Sequence, residues 1–183
     1  LGEPPASFEW EWRDDSGEFH RDGVLTPREF YSRYVDVDLT QYVCLVDDPR
    51  AEYPKGHTLT VDHMGNVVGG RPILYVNTPV EQIRQITASI LASGRAVWFG
   101  ADCSQQSDRA SGLFVEGLYD FDNLFGVDFS TSKEQRVNTG ESAMNHAMLF
   151  TGVDIDEAGE GRRFRVENSW GEDHGDKGFF TMD

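Results

Sequence analysis

The sequence predicts an α+β fold, an antiparallel sheet or open barrel with helices on its flank. Three observations carry this. Seven short segments are enriched in branched and aromatic residues: Tyr42 to Val46, Thr58 to Asp62, Ile73 to Val76, Ala96 to Phe99, Ala147 to Val153, Phe164 to Glu167 and Phe179 to Met182. Two further segments carry helix-start grammar. The polar, Gly-containing stretch from Asp154 to Arg163 separates two of the apolar runs and suits a hairpin.

The first helix is expected from Thr26-Pro27-Arg28-Glu29, where Thr caps, Pro opens the first turn and Glu reaches back to the cap amide. Thr78-Pro79-Val80-Glu81 repeats that grammar. Behind it, Val80, Ile83, Ile86, Ile90 and Leu91 form one apolar stripe at helical spacing, read as core, and Gly94 can close the helix. Residues 1–25, with Trp10, Trp12 and many charges, are expected as an irregular connector or lobe-crossing segment. Residues 26–183 are expected as one lobe.

Composition bounds the partners. The chain has 183 residues, 38% of them hydrophobic, enough for one domain with a real core. Its 32 acidic residues against 16 basic ones give a net charge of −16, which argues against a nucleic-acid backbone as partner. No stretch is long enough to span a membrane and no signal-peptide pattern is present. Leu1 stands where a Met would begin a chain, and Asp183 closely follows the apolar pair Phe179-Phe180, so an excised piece of a longer protein is expected. Two cysteines without framework spacing fit a reducing compartment.

The chemistry lies in Asn145-His146-Ala147-Met148 and Asn168-Ser169-Trp170-Gly171. A cysteine nucleophile acts as thiolate, an imidazole takes its proton, and an amide oxygen fixes which imidazole nitrogen faces the sulfur. His146 and Asn168, 22 positions apart, supply the last two of these groups in the order nucleophile, His, Asn. The nucleophile itself is expected outside this chain. Cys103 precedes His146 by only 43 positions, where papain-type spacing is about 130 to 150. Asp102 beside Cys103 would raise its thiol pKa, and Cys44 reads as a buried strand thiol. A self-sufficient hydrolase using Cys103 stays open as the lesser alternative.

Other chemistries fit less well. Asp154-Ile155-Asp156-Glu157-Ala158-Gly159 begins like a calcium loop, but Ala158 replaces an oxygen ligand and Arg165 stands where the bidentate Glu belongs; a solvated hairpin turn is expected. Gly140-Glu141-Ser142-Ala143-Met144 lacks the second Gly of a nucleophile elbow. His57 and His63 lack zinc-like companions and read as surface histidines, while His174 reads as a loop histidine held by neighbouring carboxylates. Neither a metal nor a cofactor is expected.

The segments Val97-Trp98-Phe99-Gly100, Gly140-Glu141-Ser142, Asn145-His146-Ala147-Met148 and Arg165-Val166-Glu167-Asn168-Ser169-Trp170-Gly171-Glu172-Asp173-His174-Gly175 resemble the C-terminal part of the bleomycin hydrolase, or aminopeptidase C, family of papain-like cysteine peptidases. Leu1 to Pro5, Thr26 to Tyr31, Cys44 to Arg50 and Val68 to Arg71 resemble the same family in the same order, and the C-terminal match runs on to Lys177-Gly178, so the resemblance runs nearly end to end. It implies the barrel-like right-hand lobe of a papain fold. It further implies His146 as general base, Asn168 as its orienting amide and Trp170 as the indole shielding their hydrogen bond. The implied partners are peptide substrates, the missing N-terminal lobe carrying the nucleophilic Cys, and further copies in a homohexamer, in the cytoplasm. A catalytically inert fragment, acting only in lobe binding or self-association, is the alternative for the isolated chain.

Overall fold

The computed structural model describes residues 3–65 and 67–183. Its contacts divide into two compact units, Leu1–Val43 and Cys44–Asp183.

In the first unit, β1 (Phe8–Arg13) and β2 (Phe19–Leu25) form an antiparallel hairpin with a register shift between Trp10 and Glu11. This corrects the expectation of irregular backbone over residues 1–25. The alternation Phe8-Glu9-Trp10-Glu11-Trp12-Arg13 is the period-two pattern of a half-buried strand, and its even positions are the less exposed ones. Gly17, at φ 84°, closes the turn. There Ser16 and His20 hydrogen-bond the Asp14 carboxylate and hold its pKa down at about 2. Trp10 packs edge-on against Phe30 at 4.7 Å and stacks with Trp12 at 5.7 Å. Helix α1 (Pro27–Phe30) begins as expected: Thr26 Oγ1 accepts from the Glu29 amide at 3.2 Å and Glu29 accepts from the Thr26 amide at 2.8 Å. It is only one turn long and runs into a π-helical turn, Tyr31–Val35, ended by Asp36 at φ 40°.

The second unit opens with a small sheet. In it β5 (Tyr75–Asn77) lies between β3 (Cys44–Val46), parallel to it, and β4 (Thr58–Leu59), antiparallel. Cys44 is exposed rather than buried, because it opens an edge strand with a neighbour on one side only. His57 and His63 are both exposed. The buried Asn77 holds this region together. Its Oδ1 accepts from the Asp48 amide at 2.9 Å and from Lys55 Nζ at 3.0 Å, and its Nδ2 donates to the Asp48 and Tyr53 carbonyls at 3.0 and 2.7 Å.

Helix α2 (Val80–Ala92) follows, closed by Gly94 at φ 83°. Its start departs from expectation. Thr78 Oγ1 donates to the Val76 carbonyl at 3.0 Å and the Thr78 amide bonds Val46, so Pro79 occupies the cap without a side-chain bond. The buried face is also shifted. Thr87 and Ala88 are buried, Ile83, Ile90 and Leu91 are half-buried, and Val80 and Ile86 are exposed. Close approach explains the shift. A Cβ on Gly161 would sit 3.0 Å from the Ala88 Cβ, so small residues at both positions let the helix lie flat on the sheet.

That sheet has six strands: β6 (Val97–Ala101), β7 (Ser107–Asp108), β8 (Leu113–Phe114), β9 (His146–Ile155), β10 (Gly161–Glu167) and β11 (Phe179–Met182), in spatial order β6-β9-β10-β11-β8-β7. All its pairings are antiparallel except β8 with β11. Two short helices, α3 (Phe121–Phe125) and α4 (Lys133–Thr139), lie between β8 and β9 in sequence. Both begin at side-chain caps, Asp120 and Ser132, and end at glycines with left-handed φ. The core is built from Phe114, Met148, Val166 and Phe180, with Phe99, Cys103, Phe150 and Trp170 packed against it. The expected hairpin turn spans residues 156–160, with Asp154 and Ile155 still in β9, and Asp156 Oδ1 accepts from the Ala158 and Glu160 amides at 2.9 and 3.0 Å.

Candidate active site

His146 is the first residue of β9, and Asn168 comes directly after the last residue of β10. Their meeting depends on one irregularity. Phe164 pairs with Val153 and Arg165 with Gly152, but Val166 pairs with Phe150, so Thr151 is an extra residue on β9. Opposed residues of an antiparallel pair share a face, and a shift of one exchanges the faces. With the bulge, Glu167 opposes Leu149 and the next step sets Asn168 on the face of Met148 and His146. Without it, Asn168 would share the face of Ala147, and His146 would point the other way.

His146 Nε2 lies 2.8 Å from Asn168 Oδ1. The same oxygen accepts from the Ser169 amide at 2.8 Å. A backbone N–H can only donate, so the atom it meets is the carboxamide oxygen, and Nε2 must carry the hydrogen that oxygen accepts. Nδ1 of the neutral ring is therefore the unprotonated nitrogen. Trp170 stacks on the imidazole with ring centroids 4.8 Å apart and planes 20° off parallel. The indole is itself held edge-on by Phe180 at 5.5 Å and Phe114 at 6.2 Å. All three residues expected at the site are thus brought together.

The loop after β6 fixes the backbone entering His146. Asn145 Oδ1 accepts from the Cys103 amide at 3.0 Å, and Asn145 Nδ2 donates to Asp102 Oδ1 at 2.8 Å. Ser142 Oγ donates to Asp102 Oδ2 at 2.8 Å. Burial pushes the Asp102 carboxyl upward, but the bonds from Ser104, Ser142 and Asn145 outweigh it and hold the group below the ordinary carboxylate range. Sequence reasoning passed over Asp102 and Asn145 as supports. Their signal is the polar pair's position beside the ends of β6 and β9, visible only once those strands are paired.

An open cavity of about 310 Å³ is lined by Cys103, Ser104, Arg109, Asn145, His146 and Trp170. Cys103 therefore borders the imidazole, but its side chain packs against the core. Burial, and then the Asp102 charge, push its thiol upward, opposite to the shift a nucleophile needs. His174 is not among the residues lining the cavity. Its carbonyl accepts from the Gly178 amide at 2.9 Å within the loop after Trp170.

The family model described as Peptidase C1-like family matches residues 1–183. The chain is 41% identical over 182 residues to aminopeptidase C of Lactobacillus delbrueckii subsp. lactis, covering all of this chain and 40% of that protein. It is 46% identical over 182 residues to aminopeptidase G of the same organism, covering 41% of it. Over 187 residues it is 41% identical to bleomycin hydrolase of Rattus norvegicus, again covering 41% of the relative.

The chain belongs to the Peptidase C1-like family.

The crystal structure of PepW from Lactobacillus rhamnosis superposes with a TM-score of 0.94 at 42% identity, covering all of this chain and 41% of that one. The papain-like α+β fold expected from sequence is therefore the fold of this Peptidase C1-like chain. The chain spans about two fifths of the length of the relatives it matches.

One group of acidic and imidazole side chains among the described residues could approach a cation together: Asp14, Glu18 and His20, in the β1–β2 turn. Asp14 Oδ1 already accepts from the Ser16 and Glu18 amides, both at 3.0 Å, so that carboxylate is the hub of a turn. No helix among the described residues is long and apolar enough to cross a membrane.

Proposed function

We propose that this chain is the His- and Asn-bearing C-terminal part of a cysteine aminopeptidase of the bleomycin hydrolase type, whose nucleophilic thiol is supplied by the rest of the polypeptide. The observation that carries this is the His146–Asn168 bond at 2.8 Å under the Trp170 indole, which leaves Nδ1 with a free lone pair.

Nδ1 takes the proton of the thiol, giving a thiolate and an imidazolium that Asn168 still holds through Nε2–H. The thiolate attacks the peptide carbonyl carbon and a C–S bond forms. His146 returns the proton to the departing amine as the C–N bond breaks, which leaves an acyl-enzyme. Water then attacks, His146 takes its proton, and the C–S bond breaks to release the carboxylic product and restore the thiol. Trp170 covers the Nε2–H···Oδ1 bond and keeps water from competing for it. Peptides with free N-termini as substrates, assembly as a homohexamer and a cytoplasmic location belong to the same proposal.

The isolated chain is proposed to be inert, since Cys103, the thiol bordering the imidazole among the described residues, packs against the core and is shifted away from reactivity. Turnover of an aminoacyl fluorogenic substrate by the complete polypeptide tests the mechanism. Replacing His146 by Ala should abolish it, whereas near-normal activity of a folded His146→Ala protein would remove the mechanism. Turnover by the isolated chain that is alkylator-sensitive and lost on Cys103→Ser would support the self-sufficient hydrolase instead.

A further inference from the structure

We infer that Arg109 forms a carboxylate-binding subsite beside His146, serving the leaving-group side of a short peptide. The inference rests on the proposed peptidase reaction. In that reaction the acyl half of the substrate stays on the thiol carried by the rest of the polypeptide. The departing amine must come within hydrogen-bond reach of His146 Nδ1, which this chain carries. The leaving residue is therefore the part of the substrate that passes over this chain's imidazole and into the cavity next to it.

The charge of that cavity is opposite to that of the chain. Acidic residues outnumber basic ones two to one overall, 32 against 16, yet none of the residues lining the cavity is a carboxylate and one is a guanidinium. Arg109 forms no ion pair among the described residues, and the two carboxylates next in sequence to cavity-lining residues, Asp102 and Asp108, are already committed. Asp102 accepts from Asn145 and Ser142 at 2.8 Å each and from the Ser104 amide at 2.9 Å. Asp108 accepts from the Ala110 and Ser111 amides at 3.2 Å each and from Ser111 Oγ at 2.5 Å. Neither forms an ion pair with Arg109 among the described residues.

The guanidinium is also placed in advance. Its carbon lies 4.2 Å from the centre of the Trp170 ring, a cation–π distance, and the same ring stacks on His146. The Gly175 amide donates to the Arg109 carbonyl at 3.1 Å, which ties the arginine's backbone to the loop carrying Trp170. A planar, exposed guanidinium so held keeps its N–H groups for a carboxylate arriving from solvent.

The carboxylate could be the free C-terminus of a dipeptide or an acidic side chain on the leaving residue. A dipeptide places its α-carboxylate one carbon from the departing nitrogen, so the two sources are separable by amidation. The complete protein is assayed on Ala-Ala, Ala-Ala-amide and Ala-Asp-amide, as wild type, Arg109→Gln and Arg109→Lys. Arg109→Gln should lower the ratio of kcat/KM for Ala-Ala over Ala-Ala-amide roughly tenfold, the worth of one charge-assisted hydrogen-bonded contact, and Arg109→Lys should restore part of it. A fall confined to the Ala-Asp-amide ratio would move the subsite to acidic side chains. Equal losses on all three peptides, as from a loosened Trp170, or an unchanged ratio would overturn the inference.

The chain itself supplies a reading independent of turnover. Titration with alanine should shift the Arg109 Nε and Trp170 indole N–H resonances, alaninamide should not, and Arg109→Gln should abolish the difference. If the complete protein cleaves no peptide, the proposed reaction fails while this titration still decides the subsite.

Discussion

Replacing Asn168 with Ala probes how much of the imidazole's usefulness is orientation. The variant removes the 2.8 Å acceptor of His146 Nε2–H and frees the Ser169 amide that shares the same oxygen. During the reaction the ring becomes an imidazolium, so the lost bond is one to a charged group, worth about 1.5 to 3 kcal/mol. Part of the ring's placement survives, because the Trp170 stack at 4.8 Å is untouched. The loss in kcat for the complete polypeptide is therefore expected at roughly 10- to 100-fold, with KM changing far less, because the amide acts on the base and not on the substrate. Steady-state kinetics on an aminoacyl fluorogenic substrate measure both constants. An unchanged kcat, or a loss carried wholly by KM in a folded variant, would refute the orienting role.

Three further outcomes follow from the structure. Deleting Thr151 should restore regular register to the β9–β10 pair and turn His146 and Asn168 to opposite faces, seen as loss of their hydrogen bond by NMR; its survival would show that the bulge is not what joins them. Asn77→Ala should cost about 3 kcal/mol in urea unfolding, since it leaves the Asp48 amide and the Tyr53 carbonyl without partners while Lys55 Nζ still donates to the Asp48 carbonyl; a change under about 1 kcal/mol would contradict the hub. Asp102 is held below the ordinary carboxylate range in the fold, so its contribution is complete above the unfolded-state pKa of about 4 and fades as pH falls through the folded value. The Tm difference between wild type and Asp102→Ala should accordingly narrow with acidification below about pH 4, and a difference that widened there would reverse the assignment.

The site was legible in sequence because its chemistry is local. A His and an Asn-Ser-Trp-Gly run at the ends of two apolar segments announce the imidazole, the carboxamide and the indole wherever the chain folds. What joins them was not legible. Gly152 inside the strand is a general mark of a bulge, but it does not say which residue is left unpaired or which faces are exchanged, since a bulge is a property of two strands in register. The same limit applies to α2. Its isoleucines mark a helix, but Ala88 meeting Gly161 decides which side is buried, and that is a fact about a distant strand. Asn77 gives no sign of its four hydrogen bonds, because its partners come from the loop between β3 and β4. The β1–β2 hairpin is a different case. Its alternation was present in Phe8 to Arg13 and was obscured by the charges at every second position, which are what an exposed strand face carries.

The proposed chemistry depends on which nitrogen of one ring is left bare, and NMR of nitrogen-labelled His146 in the chain measures this directly. With Nε2–H given to Asn168 Oδ1, the neutral ring should show Nε2 protonated and Nδ1 as the lone-pair nitrogen, and Asn168→Ala should weaken that preference. A neutral ring protonated on Nδ1 would contradict the account, because no lone pair would then face the thiol.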